Sequence, residues 1–146
     1  LASASHIRVA DASAFFALPE GTRGIFVGGG GSVRIPKLIG VSRMTDMMLT
    51  GRVFDATEGQ AAGLSNYLVG DGEGLAQAMA LAHKVASNAP LSNYAITQAL
   101  PRIAEMAPAE GLFVESLMSA IAQGDEAAKT RVRDFLEKRA GKVGKA

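Results

Sequence analysis

The sequence predicts an α/β fold that is followed by an all-helical region. Up to about residue 70, short apolar runs typical of strands alternate with segments in which apolar residues recur at helical spacing. Beyond residue 71 they recur at helical spacing alone, and Pro90, Pro101 and Pro108 punctuate the helices. We therefore expect two domains, residues 1–70 and 71–146.

Three short strands are expected in the first domain. Residues 7–10 alternate large apolar side chains with polar or small ones, and residues 14–18 form an apolar run that ends at a proline. Residues 11–13 would form the turn between these two strands. Tyr67–Val69 is the third predicted strand, and the glycine-rich residues 70–74 would follow it as a turn.

Two helices are expected after the glycine run at residues 28–31. The first would be interrupted near Pro36, because proline has no backbone N–H to donate within a helix. Ser42 is placed to cap the second helix, since a serine side chain can accept from a first-turn N–H. That helix should end at Gly51, because glycine readily takes the left-handed conformation at a helix C-terminus.

Two aspartates are predicted to open later helices. Glu58 stands three residues after Asp55, a spacing typical of a capping box, so a short helix should run from there to Gly63. Asp125 would cap the last helix. The apolar stripes of the helical region comprise Leu75, Met79, Ala82 and Ala86, then Phe113, Leu117 and Ile121, then Val132, Phe135 and Leu136.

Composition excludes several classes of function. With 146 residues, 48% of them hydrophobic, the chain can bury a core, and a net charge of +1 with 5% aromatic residues offers no nucleic-acid surface. The chain has no cysteine, which fits a reducing cytoplasm, and His6 and His83 stand apart from any metal-ligand spacing. We expect no metal, no nucleic acid and no membrane partner. We also expect Leu1 to be a cut or an ordering boundary.

Glu20 is the candidate catalytic residue. Pro19 precedes it, and the glycine run follows a few residues later, so an acid or base would stand beside a backbone that can approach a substrate closely. The alternative is that Glu20 caps a loop or pairs with Arg23 or Arg34. The glycine run could also be a phosphate-binding loop, but neither the Lys-Ser/Thr pair of a P-loop nor a βαβ unit accompanies it.

Several segments together resemble the enoyl-CoA hydratase/isomerase (crotonase) family. They follow the family's order and spacing nearly from end to end of the chain, although Val27 stands where proline is common and Gly29 where alanine is common. The segments are Pro19-Glu20 with the glycine run, Ser32 and Arg34, then residues 38–40, 48–52, 61–65 and 135–139.

The resemblance implies a ββα spiral core, of which residues 1–70 would be the C-terminal part, and a helical region that joins trimers or dimers of trimers. Glu20 would transfer protons, and the amide of Gly28 would face the water or hydroxyl at the reacting carbon. Phe135 and Lys138, three apart and so on one face of the last helix, would contact the adenine and phosphates of coenzyme A. Core packing and a solvated charge are the alternatives for these two.

The implied activity is hydration or isomerisation of an acyl-CoA substrate. No separate cofactor is expected, because coenzyme A arrives as part of the substrate. The resemblance begins past the midpoint of the family, after both oxyanion-hole amides and a second carboxylate, so we expect the chain by itself to be nearly inert.

The alternative function is a non-catalytic or truncated relative that binds acyl-CoA or only forms oligomers. The role of five methionines is also open, since they could be plain helix core or line an adaptable acyl pocket. They are Met44, Met47, Met48, Met106 and Met118.

Overall fold

The computed structural model describes residues 1–139 and 141. These residues divide into two compact units, Leu1–Ala82 and a second that begins at His83. The division lies within a helix, twelve residues after the domain boundary expected at residue 70. The last residues of the predicted second domain, 140 and 142–146, lie outside the described residues.

The strands of the first unit pair in two separate two-stranded sheets. They are β1 (Val9–Asp11), β2 (Phe15–Ala17), β3 (Val53–Asp55) and β4 (Tyr67–Val69). β1 pairs with β4 in parallel, and β2 pairs with β3 in an antiparallel register that places Phe16 opposite Phe54. The two strands joined by the predicted turn therefore lie in different sheets, and β3 was not predicted.

The first sheet is held at its edge by hydrogen bonds around Arg8. Its N–H donates to Asn66 Oδ1 at 2.9 Å, and its carbonyl accepts from the N–H of Asn66 at 2.8 Å. The Arg8 Nε donates to the carbonyl of Leu64 at 2.7 Å. These bonds join residues that are 56 or 58 positions apart in the chain.

The helices of the first unit mostly follow the predictions. In chain order they are α1 (Gly31–Ile39), α2 (Val41–Thr50), α3 (Ala56–Ala62) and α4 (Gly74–Ala86), of which α4 continues into the second unit. Two predictions were wrong. Pro36 lies inside α1 without ending it, and Ser42 does not cap α2, because α2 already begins at Val41 and its N-cap is Gly40.

The predicted helix ends are confirmed. Gly51 and Gly63 have φ angles of 73° and 99°, the left-handed conformation that ends α2 and α3. Asp55 caps α3, because its carboxylate accepts from the N–H of Glu58 at 2.8 Å. The Glu58 side chain forms an ion pair with Arg52, and this carboxylate is the main cause of the raised pKa of the Arg52 guanidinium.

One buried cluster forms the core of the first unit. It comprises Ile39, Met44, Met47, Phe54 and Leu64. Met47 and Ile39 are each 1% exposed, so these side chains are fully removed from water. Phe16 and Leu18 pack against the cluster. Met44 therefore belongs to the core, and Met47 belongs to the core but also lines a cavity.

After β4, the elements that the structure describes are all helical. In the second unit they are α5 (Pro90–Tyr94), a π-helical segment (Ala95–Ala99), α6 (Leu100–Ile103), α7 (Pro108–Gly124) and α8 (Glu126–Leu136). Pro101 does not separate two helices. Pro101 lies just after the π-helical segment, inside a continuous helical stretch. A short π-helical segment next to a proline can accommodate the hydrogen bond that the proline nitrogen cannot donate.

The predicted N-cap of α8 is confirmed, but its apolar stripe is not buried within the chain. Asp125 accepts from the N–H of Ala127 at 3.3 Å. Phe135 and Leu136 are each 72% exposed. The stripe of Phe113, Leu117 and Ile121 on α7 is exposed as well. Within the described residues these stripes therefore do not form an intramolecular core.

Candidate functional site

The backbone around Glu20 is fixed by a tight turn directly after β2. Glu20 has φ −59° and ψ −43° and opens a 3₁₀ turn at Gly21–Arg23. Its carbonyl accepts the N–H groups of Arg23 at 3.1 Å and Ile25 at 3.0 Å. Thr22 Oγ1 donates to the carbonyl of Pro19 at 2.8 Å. The turn therefore holds the Glu20 main chain on both sides of the residue.

The side chain of Glu20 carries a buried oxygen without a hydrogen-bond partner. Oε2 is shielded from solvent and accepts no hydrogen bond from any described residue. Among the described residues Glu20 also forms no ion pair, so neither Arg23 nor Arg34 neutralises it here. Because buried polar atoms are nearly always paired, an unpaired carboxylate oxygen is a candidate for contact with a ligand.

The glycine run forms the turn that starts α1. Gly29 and Gly30 have φ angles of 61° and 82°, which favour glycine, and the N–H of Gly31 donates to the carbonyl of Gly28 at 3.0 Å. A Cβ on Gly31 would lie 2.7 Å from Val27 Cγ2. Gly28 itself is exposed, and a Cβ there would meet open space, so packing within the described chain does not demand glycine at this position.

Arg34 supports the glycine turn, a role that was not predicted from the sequence. Its Nη1 donates to the carbonyl of Gly29 at 3.3 Å, and the guanidinium lies where a side chain on Gly30 would stand. The sequence feature that could have indicated this role is the position of Arg34, four residues after Gly30, the last left-handed glycine of the run. Among the described residues, no hydrogen bond joins Glu20 to the glycine turn at residues 28–31.

A cavity of about 290 Å³ opens beside β2 in the first unit. Its lining includes Phe16, Leu18, Leu38, Met47 and Leu64. This apolar lining and size approach those of small-molecule sites. Leu18 is two residues before Glu20, but Glu20 does not line the cavity. This cavity was not predicted from the sequence.

Phe135 and Lys138 do not share a helix face, which corrects the geometry expected for them. α8 ends at Leu136, and Lys138 lies beyond it with a left-handed φ of 57°. The N–H of Lys138 donates to the carbonyl of Phe135 at 3.0 Å, and that of Arg139 to the carbonyl of Asp134 at 2.8 Å. These two bonds form a Schellman motif in which Lys138 occupies the position that glycine usually takes.

Other classes of site find no support in the part of the chain that the structure describes. Within residues 1–139 and 141, no three acidic, histidine or cysteine side chains come together as metal ligands. No helix among them has both the length and the apolar character needed to cross a bilayer.

Comparisons with known proteins agree on one family. The model of the family described as enoyl-CoA hydratase/isomerase matches residues 1–144. An enoyl-CoA hydratase of Mycobacterium tuberculosis is 33% identical over 134 residues, which are 92% of this chain and 50% of that protein. The 2,3-dehydroadipyl-CoA hydratase of Escherichia coli is 34% identical over 139 residues, 95% of this chain and 54% of that protein.

A solved structure from Rhodopseudomonas palustris, provisionally named an enoyl-CoA hydratase, is 60% identical and superposes with a TM-score of 0.89. It is covered to 55% by this chain, and 97% of this chain is matched. The chain thus spans about half the length of the relatives that it matches. Because the family model matches nearly every residue and the fold agrees, the chain belongs to the enoyl-CoA hydratase/isomerase family.

Proposed function

We propose that the protein carrying these residues is an enoyl-CoA hydratase or isomerase in which Glu20 transfers the proton at the carbon next to the thioester carbonyl. The observation that carries this proposal is the buried, unpartnered Oε2 of Glu20 on a hydrogen-bonded turn, within a chain of this family. An oxygen that is dry and free of other partners can exchange a proton with a bound substrate.

The proposed chemistry needs charge stabilisation as well as proton transfer. In hydration, the hydroxyl of water bonds to the carbon farther from the thioester, and a proton reaches the carbon beside it. In isomerisation, a proton leaves one carbon and another returns two carbons away. Both routes pass through an enolate, whose oxygen needs preorganised N–H donors. We assign those donors and a second carboxylate to family segments other than residues 1–146.

The choice between the two reactions depends on that second carboxylate. Hydration activates a water molecule, a task suited to two carboxylates, whereas isomerisation can proceed with one. Relatives in M. tuberculosis and E. coli are named hydratases, which favours hydration for this protein. A glutamate immediately before the position of Leu1 would support hydration, and a small or apolar residue there would support isomerisation.

We assign coenzyme A contacts to Phe135 and Lys138. Phe135 is 72% exposed, so its ring is available to an adenine. Lys138 holds a left-handed conformation that costs a non-glycine residue roughly 1 kcal/mol or more. A lysine at a position that locally favours glycine supports a role for its ammonium group as a phosphate ligand. Gly28, whose N–H donates to no described residue, is proposed to bind substrate through that amide.

We propose that the complete protein has the crotonase ββα spiral, assembles as a trimer or hexamer through its helical region, needs no separate cofactor and acts in the cytoplasm. The alternative is a relative that binds acyl-CoA without turnover or only oligomerises. The exposed stripe on α7 fits both functions, whereas the buried, unpartnered oxygen of Glu20 favours catalysis.

Hydration of crotonyl-CoA tests the proposal. The polypeptide of residues 1–146 and the longest form of the protein are assayed beside a full-length family member. We expect turnover from the longest form and almost none from residues 1–146 alone. Binding of acyl-CoA without turnover by the longest form would establish the non-catalytic alternative. A rate from residues 1–146 equal to that of the full-length member would contradict the assignment of the oxyanion hole to other segments.

A further inference from the structure

Gly21, the residue after Glu20, is packed against the backbone of another element. A Cβ built on Gly21 would overlap the carbonyl oxygen of Met48 and would lie 3.1 Å from the Met48 carbonyl carbon. It would also lie 3.6 Å from the Cα of Leu49. The 3₁₀ turn therefore rests directly on the last turn of α2, with no room for a side chain between them.

Gly21 is needed here for space and not for its backbone angles. Its φ lies outside the left-handed range, unlike that of Gly24, which ends the same turn with φ 70°. Any residue could adopt the Gly21 conformation, yet any side chain would collide with a main-chain carbonyl. Glycine is therefore required at position 21 because of the Met48 carbonyl and not because of its backbone angles.

The Met48 carbonyl cannot shift without disturbing its neighbours in α2. Met47 precedes Met48, is 1% exposed and belongs to the buried core. On the other side, the N–H of Gly51 donates to the carbonyl of Met47 at 3.0 Å and closes the end of α2. A Cβ on Gly51 would itself lie 3.2 Å from Thr22 Cγ2, so the turn and the helix end fit together at two points.

We infer that Gly21 is a positioning residue, which seats Glu20 by letting its turn rest on the Met48 carbonyl. This inference rests on the proposed function of Glu20. A side chain at position 21 would push the turn away from α2, and the adjoining peptide would carry Glu20 with it. The carboxylate would then leave the place where its Oε2 is buried and unpartnered.

The experiment compares Gly21→Ala with a matched control in the active protein. Gly124→Ala adds the same methyl group in α7, where a Cβ meets open space. We expect Gly21→Ala to lower kcat about 10- to 100-fold, since misplacement of a catalytic group by about 1 Å has that scale of effect, while KM changes less than about twofold. Gly124→Ala should keep both constants.

A double-mutant cycle with Glu20→Gln separates positioning from general damage to the fold. If Gly21 acts through Glu20, adding Gly21→Ala to Glu20→Gln should cost little further turnover. Fully additive losses, or a Gly21→Ala enzyme with wild-type kcat, would overturn the inference. A wild-type protein without turnover would instead refute the proposed function, so the two failures are distinguishable.

Discussion

At the scale of single residues, Glu20 is the carboxylate of residues 1–146 that we propose transfers a proton. Replacing Glu20 by glutamine keeps the size and hydrogen-bonding capacity of the side chain but removes proton exchange. We expect Glu20→Gln to lower turnover of crotonyl-CoA by about 10² to 10⁴ with nearly unchanged substrate binding. Glu115→Gln, an exposed position on α7, serves as the control. A loss below about threefold would assign Glu20 a structural role.

Lys138 is expected to affect affinity and stability in separable ways. Lys138→Ala should weaken acyl-CoA binding by about 1 to 2 kcal/mol through loss of one charge-assisted hydrogen bond, and less at high salt. Lys138→Gly should weaken binding equally but stabilise the protein by roughly 1 kcal/mol relative to alanine, because glycine tolerates φ 57°. Titration calorimetry and thermal unfolding measure the two effects. Equal affinity of wild type and Lys138→Ala at low salt would remove Lys138 from the site.

Ser65 is a buried residue whose hydroxyl has no described partner. The residue is 5% exposed, and its Oγ accepts and donates no hydrogen bond among the described residues. Burying an unpaired hydroxyl costs about 1 to 3 kcal/mol. Ser65→Ala should therefore raise the free energy of unfolding by about 1 kcal/mol in a urea titration, whereas Ser116→Ala on the exposed face of α7 should change it little. A destabilised Ser65→Ala protein would show that the hydroxyl is paired in solution.

At the scale of elements, the turn after β1 is stabilised by hydrogen bonds to the carboxylate of Asp11. Ser13 donates to Asp11 Oδ1 from its hydroxyl at 2.6 Å and from its N–H at 3.1 Å. The side-chain hydrogen bond is the largest cause of the lowered pKa of Asp11, and the N–H bond is the next. Because the folded pKa lies below the unfolded one, this contribution to stability is present above the unfolded pKa and is lost as pH falls through the folded pKa.

Removing the hydroxyl tests that turn. Ser13→Ala should raise the pKa of Asp11 toward the ordinary aspartate value, because the strongest bond to the carboxylate is gone. Carbon NMR of the carboxyl group during an acid titration measures the change. Ser116→Ala provides the control. An unchanged Asp11 titration after Ser13→Ala would show that the backbone N–H donors of Ser13 and Gly72 lower the pKa without the hydroxyl.

Several element ends could be predicted from the sequence because their causes are local. Asp55 caps α3, and Gly51 and Gly63 end helices, since one side chain or one φ angle decides each. β3 escaped prediction because its three residues pair with β2, a contact 38 residues away in the chain. Ser42 was a wrong cap, because the chain already enters α2 from Gly40.

For the candidate site, the sequence singles out a residue but not its surroundings. Glu20 is a candidate because it follows Pro19 and precedes the glycine run, and the structure places it at the start of a 3₁₀ turn. Its fit against α2, the nearby cavity and the support of the glycines by Arg34 all depend on packing between distant segments. Phe135 and Lys138 were placed on one face because nothing local showed that α8 stops between them.

At the scale of the whole molecule, the exposed stripe on α7 bears on assembly. Phe113 is 65% exposed, Leu117 46% and Ile121 52%, and apolar rows of this kind are typical of association surfaces. We expect the protein to associate, and Leu117→Glu combined with Ile121→Lys to shift sedimentation velocity toward smaller species. Gln123→Lys, an exposed polar position, is the control. Unchanged sedimentation of the double variant would exclude this stripe from the interface.

The parallel pairing of β1 with β4 has a consequence for the order of folding. Val9 lies opposite Tyr67, so a loop of more than fifty residues must close before the first bond of that sheet can form. Closing this loop lowers the conformational entropy of the chain before the contacts between β1 and β4 can stabilise it. The segment between them already contains β2, β3 and the helices that build the core. That intervening segment can therefore fold first as a nucleus, and we expect β1 to pair with β4 last, on a core that has already formed.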